Sequence, residues 1–328
     1  MDQLITFRVL QSLALERSAW PIVREISHLR PASAPIADPI RERHEPRPMS
    51  RDLDALTSST LKHLREHWWD DAFTAFLEET LRPRPGKRIL DVGCGTGTAE
   101  ISLARLRLSQ MHLFGVDLVT ERVREAHAAT RGINVRVGYA AADACRLPFA
   151  ADSFDSTYCV AVLQHIRDLS GALAEIARVT RPGGRVLIVE PDNAARYWFS
   201  SVQSGMEAFE ISRRFIGGLL SVRGESPAAA VGPLVPGLLA ASGVEPVSVR
   251  LFPVSVAHLG VPPPTFWDSR RTTVRSVIAK APDESLRRLG ADFLKAIDQY
   301  ARDASTAGSA FVEIQNTMLF ATVGQRAE

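Results

Sequence analysis

A chain of 328 residues, 45% apolar and 23% charged, is long enough to bury a substantial core and has the balance of an ordinary globular protein. A formal net charge of +2 gives no concentrated basic surface, which argues against nucleic acid as a partner and favours a small-molecule substrate. Cys94, Cys145 and Cys159 are odd in number and match no zinc spacing, so a reducing cytoplasm fits best, and no apolar run reaches the roughly 20 residues of a membrane span.

The N-terminal stretch differs from the rest of the chain. A helix is expected over Leu4–Glu16, and Pro31, Pro35, Pro39, Pro46 and Pro48 make residues 30–50 an extended linker, because proline removes amide donors and blocks helix. Met49 stands directly before Ser50-Arg-Asp-Leu-Asp, so residues 1–48 read equally well as an upstream extension of a protein that starts at Met49. The acids Asp2, Glu16 and Glu25 argue against a secretory or organelle-targeting segment. From Leu53 to Leu81 apolar residues recur at helical spacing, closed by Pro83 and Pro85-Gly86. His63 and His67 lie one turn apart there, near Asp70 and Asp71, but without the glutamate of His-Glu-x-x-His they read as a solvated face; no metal site is expected. Trp68-Trp69 suit either a ligand entrance or the core.

Strands and helices then alternate. Arg88–Val92, His112–Leu118, Val135–Tyr139, Ser156–Leu163 and Gly184–Glu190 read as short strands, with helices at Thr98–Leu108, Glu121–Thr130 and Leu169–Val179. This pattern means right-handed crossovers and a parallel sheet covered on both faces. After Pro191 the rhythm changes. Helices are expected at about Val202–Leu220 and Ala228–Ser242, a strand at Val247–Phe252, then Pro262-Pro-Pro264 and further helix from about Trp267 to Ala301, and a last strand at Phe311–Val323. The chain thus divides into an extension and linker (1–50), a ligand-binding core with N-terminal helices (51–192), and lid insertions plus two further strands of the same sheet (193–328).

The segment Asp91-Val-Gly93-Cys-Gly95-Thr-Gly97 follows a predicted strand and opens a helix, where glycines let the backbone approach a ligand closely. Dehydrogenases place Gly-x-Gly-x-x-Gly at the same point, but here the spacing is Gly-x-Gly-x-Gly and an aspartate leads it. A pyrophosphate needs bare amides and would be repelled by that carboxylate. S-adenosylmethionine (SAM) has no phosphate and carries an ammonium, which the acid favours. Asp117 ends the second predicted strand, where a carboxylate can accept both ribose hydroxyls. Asp143, after the third, is placed to accept the adenine amino hydrogens. A single aspartate at a strand end is more often a cap or turn former; three in step with the glycine loop are not.

Asp91–Gly97, Gly115-Val-Asp117, Ala142-Asp-Ala-Cys-Arg-Leu-Pro-Phe149, Ser153-Phe-Asp155, Val162-Leu-Gln-His165 and Arg178-Val-Thr-Arg-Pro-Gly-Gly-Arg-Val-Leu187 together resemble the class I SAM-dependent methyltransferases. Within them the likeness is to the group that includes the ubiquinone and menaquinone C-methyltransferases and many natural-product methyltransferases. It covers about residues 86–192. The resemblance implies a Rossmann-like, doubly wound α/β sheet of seven strands in the order 3-2-1-4-5-7-6, the last antiparallel, with helical lid insertions; the strands at 247–252 and 311–323 would complete it. It also implies a cofactor-binding set of Asp91, Gly93, Gly95, Gly97, Asp117, Leu118, Asp143, Ala144 and Val160. Leu147 or a neighbour would pack near adenine, and the Gly93 and Val160 carbonyls would face the methionine end.

Methyl transfer from a sulfonium is an in-line displacement on an activated donor, so alignment contributes most, up to roughly 7–11 kcal/mol. A general base helps where the acceptor is a hydroxyl, ammonium or acidic carbon. The fourth strand runs into Val162-Leu-Gln-His165 and lacks the Asn/Asp-Pro-Pro-Tyr/Phe segment of many nucleic-acid and glutamine N-methyltransferases, against an adenine or amide acceptor. His165 is a candidate general base or acceptor contact, or else a structural histidine beneath the cavity. His258 is a candidate second base, or else a loop histidine with no role. Tyr158 and Glu190-Pro-Asp192 end near the same cleft, with Glu190 shaping the pocket, and small size explains Cys94. Arg196-Tyr-Trp-Phe-Ser-Ser and the helices at 202–242 point to an aromatic, apolar lid and a hydrophobic or polycyclic metabolite as acceptor. The expected function is a cytoplasmic, small-molecule methyltransferase. The alternatives are a protein that holds SAM or its demethylated product without methyl transfer and, more remotely, an NAD-dependent dehydrogenase; oligomeric state is left open.

Overall fold

The computed structural model describes residues 68–104, 111–133, 136–222, 231–279 and 281–328. The helix at Leu4–Glu16, the linker, Met49, most of the Leu53–Leu81 helix, and His63 with His67 lie outside them. Helix α1 (Asp71–Leu81) leads into β1 (Arg88–Val92), α2 (Thr98–Ala104), β2 (His112–Asp117), α3 (Thr120–Ala129), β3 (Arg136–Ala141), β4 (Phe154–Val160), α4 (Leu169–Val179) and β5 (Thr180–Ser200). There follow α5 (Gln203–Val222), α6 (Val231–Ala241), β6 (Val244–Leu259), α7 (Pro264–Ile278), α8 (Glu284–Ala307) and β7 (Val312–Arg326). The strands form one sheet in the order β3-β2-β1-β4-β5-β7-β6, with β7 antiparallel to both neighbours. This is the doubly wound topology implied by the resemblance.

Alternation along the strands builds a core on each face. Ile89, Leu113, Tyr158, Leu187 and Val189 face α1 and α2, where Phe73, Phe76, Leu77 and Leu103 meet them. Leu90, Val92, Val116, Cys159, Val186 and Ile188 face α4 and α6. Each such fully buried aliphatic contributes about 1.5–3 kcal/mol. Helix α1 starts where the Asp70 carboxylate accepts from the Phe73 N–H at 2.7 Å, and it ends at Arg82, in left-handed backbone before Pro83.

Beyond Pro191 the structure corrects three expectations. First, α6 is no lid element: Val231, Val235 and Leu239 belong to the sheet core. Second, the helix expected over 267–301 is two, because Pro282 cannot continue α7 and the Asp283 carboxylate caps α8 by accepting from Leu286 N–H at 2.8 Å. Third, β5 and β6 are far longer than the patterns at 184–190 and 247–252, while β7 keeps close to the expected 311–323. Beyond Val189, which is level with the end of β4, β5 runs on to Ser200 paired with β7. The three strands make an antiparallel arm past the carboxyl ends of β1–β4. Pairing pattern, not hydrophobic alternation, fixes its length, since Glu190, Asn193, Arg196 and Ser200 interrupt the apolar run. Strand β6 is the sheet's edge, interrupted by Pro246 and Pro253.

Helices α5, α7 and α8 cover the arm through Ala208, Phe215, Trp267, Val274, Ile297, Tyr300 and Phe311. A charge lies in this apolar cluster. Glu313 on β7 is fully buried and takes a two-pronged pair from Arg270 (2.7 and 3.0 Å) and a hydrogen bond from the Tyr300 hydroxyl (2.7 Å). Burial alone would raise its pKa, but the Arg270 bonds prevail and hold it below the usual carboxylate range. The guanidinium in turn lies 4.1 Å from the Phe266 ring centroid. Arg270→Met strands this carboxylate and should cost about 3–5 kcal/mol in urea unfolding, whereas Arg270→Met/Glu313→Leu should recover most of the loss. Equal losses in the single and double variants would show that the pair is not what anchors the helices.

Candidate functional site

After β1 the chain turns through Gly93–Gly97 into α2. The Gly93 and Cys94 N–H groups both donate to the Val116 carbonyl, at 2.7 and 2.9 Å, and Gly97 N–H donates to the Cys94 carbonyl at 3.0 Å. Gly93 has φ of 88°, and a β-carbon there would overlap a Val162 methyl, so only glycine fits. Gly95 has φ of 53° and nothing within 4 Å of where its β-carbon would stand. The loop is therefore packed on one side and open on the other, the shape of a cradle.

Carboxylates stand at the strand ends beneath and beside the loop. Asp91 is buried in β1 beneath the loop. Asp117, ending β2, accepts from Gly95 N–H (3.0 Å) and Val119 N–H (2.9 Å), one bond to each oxygen, which leaves each a free lone pair for a ligand hydroxyl. The Asp117 carbonyl accepts from Ala142 N–H at 3.0 Å, so the segment after β3 lies beside it. There Asp143 is exposed and accepts from Cys145 N–H at 2.9 Å, which makes it a turn former as well as a ligand candidate. Leu118 is exposed beside Asp117, Ala144 is half-buried, and Leu147 and Val160 are buried. The nine residues expected to hold the cofactor thus gather at the carboxyl ends of β1–β4.

The chain leaving β4 forms the other wall. Ala161 holds left-handed backbone (φ 56°), fixed by its N–H to the Val189 carbonyl at 2.8 Å. Such strain in a non-glycine residue costs of order 1–3 kcal/mol and concentrates at functional sites. Glu190, fully buried at the end of the parallel part of β5, accepts from the N–H groups of Val162 (2.8 Å), Leu163 (2.7 Å) and Gln164 (3.4 Å). It thereby shapes a single 3-10 turn, Leu163–His165, with His165 exposed at its end.

Two candidates stand apart from this wall. Tyr158 lies beneath the loop, 1% exposed, and does not reach the cleft surface. His258 is on β6 and not in a loop, opposite Glu313 and 4.6 Å from the Phe266 ring. Arg250 is the β6 residue level with Val160 through Ala321 and Val189, so His258 lies roughly 26 Å of strand beyond it. The structure does not bring the two histidines together.

One functional support was hidden in the sequence. Arg178 donates to the Leu147 and Phe149 carbonyls (3.2 and 2.8 Å) and to both oxygens of Glu175, which accepts Leu147 N–H at 2.8 Å. This clamp fixes the segment that carries Asp143, Ala144 and Leu147, and the Arg178 bonds hold the Glu175 carboxyl below its usual range. The only signal was a Glu–Arg spacing of three on α4. Among the described residues no His, Cys, Asp and Glu cluster is suited to a metal.

A sequence family described as methyltransferase domain matches residues 90–188. An O-methyltransferase of Pyrenophora dematioidea is 37% identical over 112 residues, covering 34% of this chain and 41% of that protein. The demethylmenaquinone methyltransferase of Mycobacterium marinum is 33% identical over 147 residues, covering 45% of this chain and 58% of that protein. The chain thus spans about half the length of these relatives. A crystal structure described as a putative methyltransferase from Bacillus halodurans aligns with 78% of this chain and 100% of its own at a TM-score of 0.51 and 16% identity, which speaks to the fold alone.

Glu190→Gln replaces one acceptor oxygen of the turn by a donor and should lower stability by about 1–3 kcal/mol, read by chemical denaturation. An unchanged midpoint would mean that the turn holds without the carboxylate.

Proposed function

We infer that this chain, whose residues 90–188 form a methyltransferase domain, binds SAM in the cradle at Gly93–Gly97 and transfers its methyl group to a small-molecule acceptor. The observation that carries this reading is the convergence of Asp91, Asp117 and Asp143 on a loop whose open face lies at Gly95. That negative setting opposes a pyrophosphate and suits a ligand bearing an ammonium and a sulfonium.

Bound SAM supplies an activated methyl group. Asp117 accepts the ribose hydroxyls with the lone pairs its backbone bonds leave free, and Asp143 accepts the adenine amino hydrogens. Leu118, Ala144 and Leu147 flank the base. Asp91 supplies the charge beneath the ammonium, and the Gly93 and Val160 carbonyls face the methionine end. His165, at the end of the turn that Glu190 holds, contacts the acceptor and takes its proton where one is lost. His258 has no part here, since the arm carries it away from the cradle.

The acceptor is an apolar metabolite. Tyr197 and Phe199, 56% and 40% exposed on the arm, support this, as does the similarity to proteins named as O-methyltransferases and a demethylmenaquinone methyltransferase.

Calorimetry should register SAM binding and none of NADH. Asp117→Ala should weaken SAM at least about tenfold, which corresponds to roughly 1.4 kcal/mol. In His165→Ala the SAM affinity should stay within about twofold while methyl transfer to a metabolite extract, followed by mass spectrometry, falls by about 10²–10⁴. Undiminished SAM affinity in Asp117→Ala would overturn the ribose assignment.

A further inference from the structure

A row of polar side chains lies buried one level below the cradle. In register across four strands, on one face of the sheet, stand Tyr139 (β3), Gly115 (β2), Asp91 (β1) and Tyr158 (β4). Glu100, in the first turn of α2, drops its side chain onto this row and is 0% exposed. Gly115 makes the room. A β-carbon there would lie 2.6 Å from the Tyr139 ring and 2.8 Å from Glu100 Oε1.

Neither Glu100 oxygen meets a hydrogen-bond donor, and the hydroxyls of Tyr139 and Tyr158 are likewise buried without partners. The groups that face Glu100 are the carboxylate of Asp91 from β1, Tyr139 from β3 with His127 of α3 on its far side (ring centroids 6.5 Å apart), and Tyr158 and Cys94 around Asp91. No cation is among them in the described residues. An ionised carboxylate in such a place would be unpaired, desolvated and beside a second negative charge, an arrangement that costs far more than neutralising it.

We propose that Glu100 and Asp91 hold one proton between them, and that Glu100, by carrying it, is the positioning residue that leaves Asp91 charged and seats α2 on the sheet. Two carboxyl oxygens that face one another attract only when a proton lies between them. The shared proton fixes the start of α2 over Gly115 and leaves a single negative charge below the loop. Burial first, then the Asp91 charge, raises the Glu100 carboxyl well above its ordinary value. The proposal rests on the SAM reading in one respect, since it sets the charge Asp91 offers the ammonium, but its test needs no ligand.

The folded protein keeps a Glu100 proton that the unfolded chain releases near pH 4.5, so stability should fall as pH rises above that value until the folded carboxyl itself ionises. Glutamine cannot titrate, keeps the volume and still donates to Asp91. The experiment is thermal unfolding of ligand-free wild type and Glu100→Gln between about pH 5.5 and 8.5. The variant should gain on wild type by roughly 3 °C per pH unit, with little difference at the acid end. Parallel curves across that range would overturn the proposal. Infrared spectroscopy gives an independent reading should Glu100→Gln not fold. Wild type with ¹³C-labelled glutamate carboxyls should show a protonated-carboxyl band at neutral pH that shifts with the label, and absence of the band would equally overturn it. Failure of SAM to bind would refute the cofactor reading and leave both results intact.

Discussion

The site depends on three hydrogen bonds from the glycine loop to the end of β2. Gly93 and Cys94 share the Val116 carbonyl, and Gly95 takes the Asp117 carboxylate. A loop that leaves a strand and enters a helix has amides with no partner in either element, and buried orphan amides are costly. Here β2 supplies the acceptors. One consequence is that β1 and β2 must lie side by side and in register, which the pairing of Asp91 with Gly115 and Val92 with Val116 provides. The cradle is thus a property of two adjacent parallel strands rather than of the loop alone. Asp117 also closes two turns at once, accepting from Gly95 with one oxygen and from Val119 with the other.

The opposite wall obeys the same rule. The chain leaving β4 bends sharply at Ala161, and its next three amides would be stranded in the core. Glu190 accepts all three from the neighbouring strand. Both sides of the cleft are therefore fixed by a carboxylate on an adjacent strand that accepts from the backbone of a turn. Glu190 spends its carboxylate on three amides and is wholly buried, whereas Asp117 accepts two and keeps a small exposure.

The sequence made the described chain up to Pro191 legible because every signal there is local. The strand–glycine–helix pattern, the acids at strand ends and the apolar alternation each lie within about ten residues. The sheet order came from the family likeness and stands as observed. After Pro191 local signals still find α5, α6 and β7 but miss the lengths of β5 and β6. The arm exists because β5, β6 and β7 pair over long separations, such as Tyr197 with Asn316, and nothing in the residues around Arg196 announces it. His258 was misplaced for this reason: its neighbours looked like loop, while their partner strand lay more than fifty residues on. The break between α7 and α8 is local too, set by Pro282 and the Asp283 cap. Glu100 escaped notice because a glutamate in a helix's first turn ordinarily points to water, and only the missing side chain at Gly115 turns it inward.

An open sheet edge carries a hazard. Strand β6 lies at the edge and exposes Val247, Val249 and Leu251, the kind of rim on which a second chain can add itself by backbone pairing. Pro246 and Pro253 flank that apolar stretch and have no N–H to offer, so an incoming strand would find its ladder cut at both ends. The two prolines thus guard the stretch of the edge strand that runs beside the body of the sheet, up to the point where the arm begins.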